Sequence, residues 1–367
     1  MRAPRVPSKA LGKAASRFSR RSSSATSSMK LAQPTQHKGL IRQPNAEILA
    51  EFKFRLMKLE IRPRLLVSAC LLGQEVRYDG RHKCHLDVIA LAKDVDLIPL
   101  CPEVAIGLGI PRPPIQLVAG ESGIKLLEVN DPNLDHTQKM ADFVRSQVGE
   151  MASMDGLIAK RNSPSCGLGN VPVYEKNGGL MHHFGQGAFS GSLQRVYPAL
   201  PVIEEQDLED AQKRGNFLLR VFTHSRWRDL GGTSLTLEAL KDFHQCHRYL
   251  LMARSFNAYQ RLGKMLQNRK VANLSVNYLQ QMMAVLKREE NRRNLLEIVH
   301  AISQTLASQL NPSTIQAIDQ AIESCGEKET AVSSLMTLLR ENLACLDFVD
   351  PAIELFLHPF PAELMAE

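Results

Sequence analysis

Three short apolar runs in this chain each lead to a cysteine, and that repeated pattern constrains the fold more than any other feature. Arg64-Leu-Leu-Val-Ser-Ala-Cys70 and Val95-Asp-Leu-Ile-Pro-Leu-Cys101 close directly on the thiol. Gly156-Leu-Ile-Ala159 reaches its thiol through the turn Lys160-Arg-Asn-Ser-Pro-Ser-Cys166-Gly167. Apolar runs of this length, bounded by turn residues, predict buried strands. Ligands of open parallel sheets sit beyond the carboxyl ends of the strands. Thiols at three strand ends are therefore expected to converge on one point.

The segments between these runs complete an alternating pattern over residues 62–205. Helices are predicted near 85–93, over 135–151 and after Gly187, and a last strand at 200–203. Two short strands, 115–119 and 124–129, turn at Gly120-Glu-Ser-Gly123 as a hairpin. Strand–helix alternation of this kind predicts an α/β fold with a doubly wound, Rossmann-like, mostly parallel sheet. From residue 206 no strand pattern persists. Residues 206–232 read as a helix over 207–225 and a linker from Trp227 to Gly232, and 233–350 as an all-α domain. There Leu235, Leu240, Phe243, His247, Leu250 and Leu251 fall at helical spacing.

At 367 residues the chain has room for two cores. It holds no apolar run near 18 residues, so no transmembrane helix and no membrane partner is expected. Seven cysteines without an apolar signal-peptide core point to a reducing, cytoplasmic setting. The net charge of +7 is unevenly held. Residues 1–43 carry ten Lys/Arg and no acid, lack hydrophobic period and are expected to be disordered. Their composition is that of a mitochondrial transit peptide, or of a start set too far upstream with Met29 as the true first residue. The remainder holds 35 basic against 38 acidic residues. Within it residues 241–293 carry +8 and residues 301–367 carry −8, so one face of the helical domain is a candidate for meeting a polyanion.

A thiolate is a soft anionic ligand suited to zinc, copper(I) or iron–sulfur clusters. Zinc sites usually draw on closely spaced pairs such as C-x₂-C, and no such pair exists here. Three thiolates on a four-iron cubane would leave one iron as an open Lewis-acid position. Spacing alone leaves the duller reading open, that these cysteines are small core hydrophobes. That duller reading is adopted for Cys84, Cys246, Cys325 and Cys345.

Several motifs, in order across about 62–205, tip the balance. They are Val67-Ser-Ala-Cys70-Leu-Leu-Gly73 with Val76-Arg-Tyr-Asp-Gly80, Cys101-Pro-Glu103, Pro111-Arg-Pro-Pro114, Lys160-x-x-Ser163-Pro-Ser-Cys166-Gly167 and Gly185-x-Gly-x-Phe189. Together they resemble the thiouracil desulfurase (TudS) family. Residues 206–350, with Phe243-His244-x-x-His247 and Tyr259-x-x-Leu262-Gly263, resemble the YbgA-like helical domain often fused to it. The fused arrangement resembles the RudS-type desulfidases of 4-thiouridine in transfer RNA. The resemblance implies a [4Fe–4S] cluster on Cys70, Cys101 and Cys166, with the thiocarbonyl sulfur of a thiolated base meeting the fourth iron. It also places an acid/base pair at Glu103 and Ser163.

Glu103, two residues past a cysteine, has the reach to work on a water beside the open iron, or else caps the next helix. Burial beside an anionic cluster is expected to favour its protonated form. Arg77, Tyr78, Asp79 and Ser165 are the further candidates for holding substrate, and Gly187 opens a helix whose amides offer an anion site. In the basic segment Arg261, Lys264, Arg269 and Lys270 are the expected RNA contacts, with aromatics such as Phe243, Tyr249 and Tyr278 as stacking platforms or, more plainly, helical core. Two alternatives stand beside this reading. One is action on free thiouracil-type bases with the helical domain serving homodimerisation. The other is a cluster- or zinc-bearing sensor without turnover.

Overall fold

In a computed structural model, residues 61–121, 123–267, 273–325, 330–343, 346 and 349–365 are described. Strand β1 (Arg64–Ser68) is followed by helix α1 (Leu86–Ala90), β2 (Asp96–Leu100) and α2 (Pro102–Ala105). Then come β3 (Ile115–Gly120), β4 (Gly123–Glu128), α3 (Thr137–Ser146), α4 (Val148–Met151) and β5 (Gly156–Ala159). Strands β6 (Val171–Tyr174) and β7 (Leu180–Gly185), α5 (Ala188–Val196) and β8 (Val202–Glu204) complete the α/β part.

The first sheet has the order β2-β1-β5-β8, and all its pairings are parallel. Pro99 sits in β2, an edge strand, where a residue without an N–H is tolerated. Side chains alternate across the sheet because successive strand residues point to opposite faces. Leu66, Leu157 and Ala159 pack with Met140, Val144, Phe189 and Leu193 on one face. Leu65, Val67 and Ile158 pack with Val88, Phe217 and Val221 on the other. Both faces are covered, as the doubly wound pattern predicts. A second sheet, β4-β3-β6-β7, lies against the first face. Its β3–β4 hairpin matches the expectation; its β6–β7 half was not anticipated.

Beyond the sheets the chain is helical: α6 (Ala211–Asp229), α7 (Leu237–Cys246), α8 (Arg248–Arg254), α9 (Phe256–Met265) and α10 (Leu274–Leu286). They are followed by α11 (Arg292–Thr305), α12 (Pro312–Ser324), α13 (Thr330–Leu343) and α14 (Pro351–Leu357). Asp210 caps α6 by accepting from the amides of Gln212 and Lys213. The helix runs past Trp227, which is buried, so the stretch expected to be linker begins as packed helix. Helix α6 serves two cores. Phe217, Leu218, Val221 and Phe222 face the sheet, whereas Leu219 and Trp227 join the core of the helices. Gly156 makes this contact close: a Cβ there would lie 2.9 Å from Leu65 and 3.0 Å from Val221. No described helix is long and apolar enough to cross a membrane.

A buried carboxylate pins α6 to the sheet. Asp155, with no exposed surface, accepts from Arg228 Nε and Nη2 at 2.9 Å each and from the Arg64 amide at 2.9 Å. His224 Nδ1 lies 3.1 Å from Oδ1, the oxygen that also accepts from Arg228 Nε. Burial alone would push this carboxyl's pKa up, but the bonds from His224 and Arg228 bring it below the ordinary value. A depressed carboxyl contributes stability that is full above its unfolded pKa of about 3.9 and fades as pH falls through the lower folded value. Asp155→Asn is expected to cost about 1–3 kcal/mol in urea unfolding at pH 7, because it removes the charge shared by Arg228 and His224 while Asp229 stays 3.2 Å from Arg228. The gap between the two proteins should narrow as the pH is taken below 4.

Candidate active site

The three cysteines lie just past the ends of β1, β2 and β5, and they line one cavity of about 410 Å³. Cys70 sits in a single 3₁₀ turn, Ala69–Leu72, that continues β1. Cys101 is the residue at which β2 passes into α2. Cys166 is carried by the loop after β5, where Asn162 takes the left-handed conformation that Asn tolerates (φ 58°). That loop is held from below. The amides of Gly187, Ala188 and Phe189 donate to the carbonyls of Gly167, Pro164 and Ser165 at 2.8–2.9 Å.

The thiols sense one another. Burial and then the Cys101 sulfur push the Cys70 pKa up to about 11, with Arg77 and Lys160 pulling it down. Cys101 is raised by burial. Cys166 is raised furthest by burial, against a hydrogen bond from Ser68, with Glu103, Cys101 and Cys70 adding to the rise. Three such groups ionise together only if positive charge arrives between them. Three soft thiol donors around one cavity are a donor set that suits an iron–sulfur cluster.

Glu103 stands on this cavity, and its partner is a residue to which sequence reasoning gave no role. Arg112 donates to Glu103 Oε2 from Nε at 2.9 Å and from Nη2 at 2.7 Å. The same Nη2 donates to the Val76 carbonyl at 2.9 Å and lies 3.8 Å from Cys101 Sγ. One guanidinium thus fixes the acid, a cysteine and the loop over the cavity. Glu103 lies in the first turn of α2, but its described bonds go to Arg112 and not to the helix amides. Glu103 Oε1 has no bond among the described residues.

Ser163 lines the cavity, and its Oγ accepts from the amides of Ser165 and Cys166 at 3.3 and 3.1 Å. It shapes the cysteine turn at least as directly as it faces a substrate. Arg77 and Tyr78 line the cavity, with the guanidinium 5.4 Å from the ring centroid. Asp79 is outside the lining and 3.4 Å from Arg77 Nε. Lys160 also lines the cavity and is held by Glu205, which accepts the Arg161 amide at 2.7 Å as well.

Besides Asp79, two more expected substrate contacts, Ser165 and Gly187, stand outside the cavity lining. Ser165 has no exposed surface and lies outside the lining, because its carbonyl serves the start of α5. Gly187 is a packing glycine: a Cβ there would lie 2.5 Å from the Ser165 carbonyl oxygen and 2.8 Å from the Cys166 nitrogen. The first amides of α5 are already bound to that turn, so they offer an anion nothing. The remaining cysteines divide. Cys246 and Cys325 are buried as expected, Cys84 is exposed in the loop over the cavity, and Cys345 lies outside the described residues.

In the helical part Arg261 and Lys264 are exposed on α9, while Arg269 and Lys270 lie outside the described residues. Phe243, Tyr249 and Tyr278 are core. His244 stacks on Tyr259 at 4.5 Å and meets the Tyr278 hydroxyl at 2.9 Å. Burial pulls the pKa of His244 down to about 4 and that of His247 to about 3. Both act as neutral core groups.

Comparison with known proteins gives the following. Residues 65–205 match the family described as 2-thiouracil desulfurase, and residues 248–361 match a family described as a protein of unknown function (DUF1722). An uncharacterized protein of Bacillus subtilis (strain 168), YbbK, is 26% identical over 152 residues, covering 40% of this chain and 98% of its own. A solved [4Fe–4S]-dependent thiouracil desulfidase, TudS, is 32% identical, covering 41% of this chain and 95% of its own, with a TM-score of 0.33.

Gly187→Ala tests the account of the cysteine turn. The added methyl group has only backbone to displace, so a loss of about 1–3 kcal/mol is expected in denaturant unfolding. A glycine that merely offered amides to an anion would tolerate alanine at little cost.

Proposed function

From the premise that this chain, through residues 65–205, belongs to the 2-thiouracil desulfurase family, we propose that it is a [4Fe–4S]-dependent desulfidase acting on 4-thiouridine in transfer RNA. The observation that carries the chemistry is the cavity shared by Cys70, Cys101, Cys166 and Glu103. A [4Fe–4S] cluster bound by those three thiolates supplies an iron without a protein ligand, a Lewis-acid position for a thiocarbonyl sulfur. The overall change, C=S and water to C=O and hydrogen sulfide, alters no oxidation state and needs no reductant.

The chain's own residues supply the rest. Arg112 takes Oε2 of Glu103, which leaves Oε1 to accept a proton from an attacking water and pass it to the departing sulfur. Ser163 keeps the Cys166 amide in place and has a hydroxyl proton to donate toward the substrate. Tyr78, 43% exposed at the cavity, offers a face on which a pyrimidine stacks. Arg77, Lys83 and Lys160 make the lining cationic, which suits thiolates, a cluster and a nucleotide phosphate alike.

The RNA part of the reading is supported by the charge of +8 over residues 241–293 and by exposed Arg261 and Lys264 on one helix. On this reading the helical part grips the RNA backbone and the cavity takes an extruded base.

Anaerobic assays test both levels. Cys→Ala at 70, 101 or 166 should abolish bound iron and sulfide release together. Glu103→Gln should keep its iron and lose about 10²–10⁴-fold in turnover. Neutralising Arg261 and Lys264 together should lower activity on 4-thiouridine-containing RNA and spare activity on free 2-thiouracil. Equal loss on both substrates would remove RNA from the proposal, and full iron content in all three cysteine variants would remove the cluster.

A further inference from the structure

A second cavity, a cleft of about 910 Å³, lies between the α/β part and the helices. Its wall includes Leu168, Gly169 and Asn170, which directly follow the Cys166-Gly167 turn, and Glu204, whose Oε1 accepts the Leu168 amide at 2.8 Å. The same cleft is lined by three arginines from three helices: Arg220 of α6, Arg254 of α8 and Arg340 of α13.

These guanidiniums are each anchored through part of their N–H set. Arg220 Nε donates to Asn216 Oδ1 at 3.0 Å. Arg254 donates to the Leu286 and Leu250 carbonyls at 3.0 and 2.9 Å, and Arg340 Nε to the Leu357 carbonyl at 2.9 Å. The one carboxylate within ion-pair distance of any of them, among the described residues, is Glu290, 3.2 Å from Arg254. Of the other acids on the wall, Glu204 is engaged by the loop amide, Asp207 by Lys213 and Asp210 as the cap of α6, while Glu289 is exposed and makes no ion pair with the three arginines. Arg220 is thus 92% buried, next to a second buried arginine and without a counter-ion of its own.

Burying an unpaired cation is costly unless the missing charge is supplied. A planar guanidinium with a free N–H edge is matched in shape and charge by an oxyanion. We propose that the Arg220–Arg254–Arg340 end of this cleft is a phosphate-binding site. The phosphate belongs either to an RNA backbone or to a free phosphate ion, and it would sit in the cleft whose wall continues the loop that carries Cys166. The site goes beyond desulfidation, and its occupancy is read without turnover.

The test uses the full chain. Its thermal unfolding is compared in inorganic phosphate and in sodium chloride of equal ionic strength, and binding of a fluorescent RNA hairpin without thiolated bases is measured alongside. Phosphate near ten times its dissociation constant should raise the midpoint by about 2 °C or more. Arg220→Met should lose that rise yet unfold little earlier than the parent in chloride, since the buried cation it removes has a single neutral hydrogen-bond partner, Asn216, and no counter-ion. Arg340→Met, at an exposed position, should weaken phosphate several-fold without loss of fold and carries the test should Arg220→Met misfold. A hairpin that phosphate displaces, and that Arg220→Met weakens about tenfold or more, identifies the RNA backbone as the source. A hairpin indifferent to Arg220→Met, beside a lost phosphate response, identifies free phosphate. If neither the phosphate response nor hairpin affinity depends on Arg220 or Arg340, the site does not exist. Sulfide release from free 2-thiouracil would be untouched by that failure.

Discussion

The cavity exists because β1 is paired on both sides in the same direction. Val67 lies opposite Pro99 in β2 and opposite Ile158 in β5, so all three strands end at one edge of the sheet. Parallel neighbours cannot be joined by tight turns, so long crossings separate the three thiols in sequence. The same crossings carry the groups that finish the site. The loop after β1 brings Arg77 and Tyr78, the turn after β2 brings Glu103, and the proline-rich loop beyond it brings Arg112. Without that pairing, nothing in the chain would place a thiol near position 70 beside one near position 166.

Charge in the α/β part follows one rule, in the site and at the far end of β5 alike: these carboxylates are matched and the thiols are not. Glu103 has Arg112, Glu205 has Lys160, and Asp155 has Arg228. The sulfurs have only each other, and burial raises the pKa of all three. Arg77 and Lys160 temper Cys70 without neutralising the group. A cationic frame around unmatched soft donors is the electrostatic form of a site made for a metal assembly, whose own charge completes it.

What the sequence disclosed was whatever had a local signature. Apolar runs ending in cysteine gave the parallel strands, and Gly120-Glu-Ser-Gly123 gave the β3–β4 hairpin. The β6–β7 pair escaped because Leu180–Gly185 is exposed along most of its length, which leaves no two-residue alternation to detect. Ser165 and Gly187 stand outside the cavity lining for a common reason. A serine beside a cysteine and a glycine before a helix both look like ligand contacts, yet here they meet each other, backbone to backbone, beneath the thiol. Arg112 was overlooked because its partners, Glu103, Val76 and Cys101, are joined only by the folding of two loops.

Helix α6 decides how the two halves work together. It lies between the two matched segments, 65–205 and 248–361, and belongs to neither. Yet Phe217 and Val221 cover one face of the cysteine-bearing sheet, while Leu219 and Trp227 belong to the core of the helices. Its Arg228 is locked to Asp155 at the foot of β5, the strand whose other end leads to Cys166. A helix that is a layer of one core and a wall of another cannot act as a loose tether. The helical part is therefore packed directly on the sheet that carries the cavity. That packing is also what gives the arginine-lined cleft its shape, since α6 supplies Arg220 to the cleft wall as well as residues to both cores.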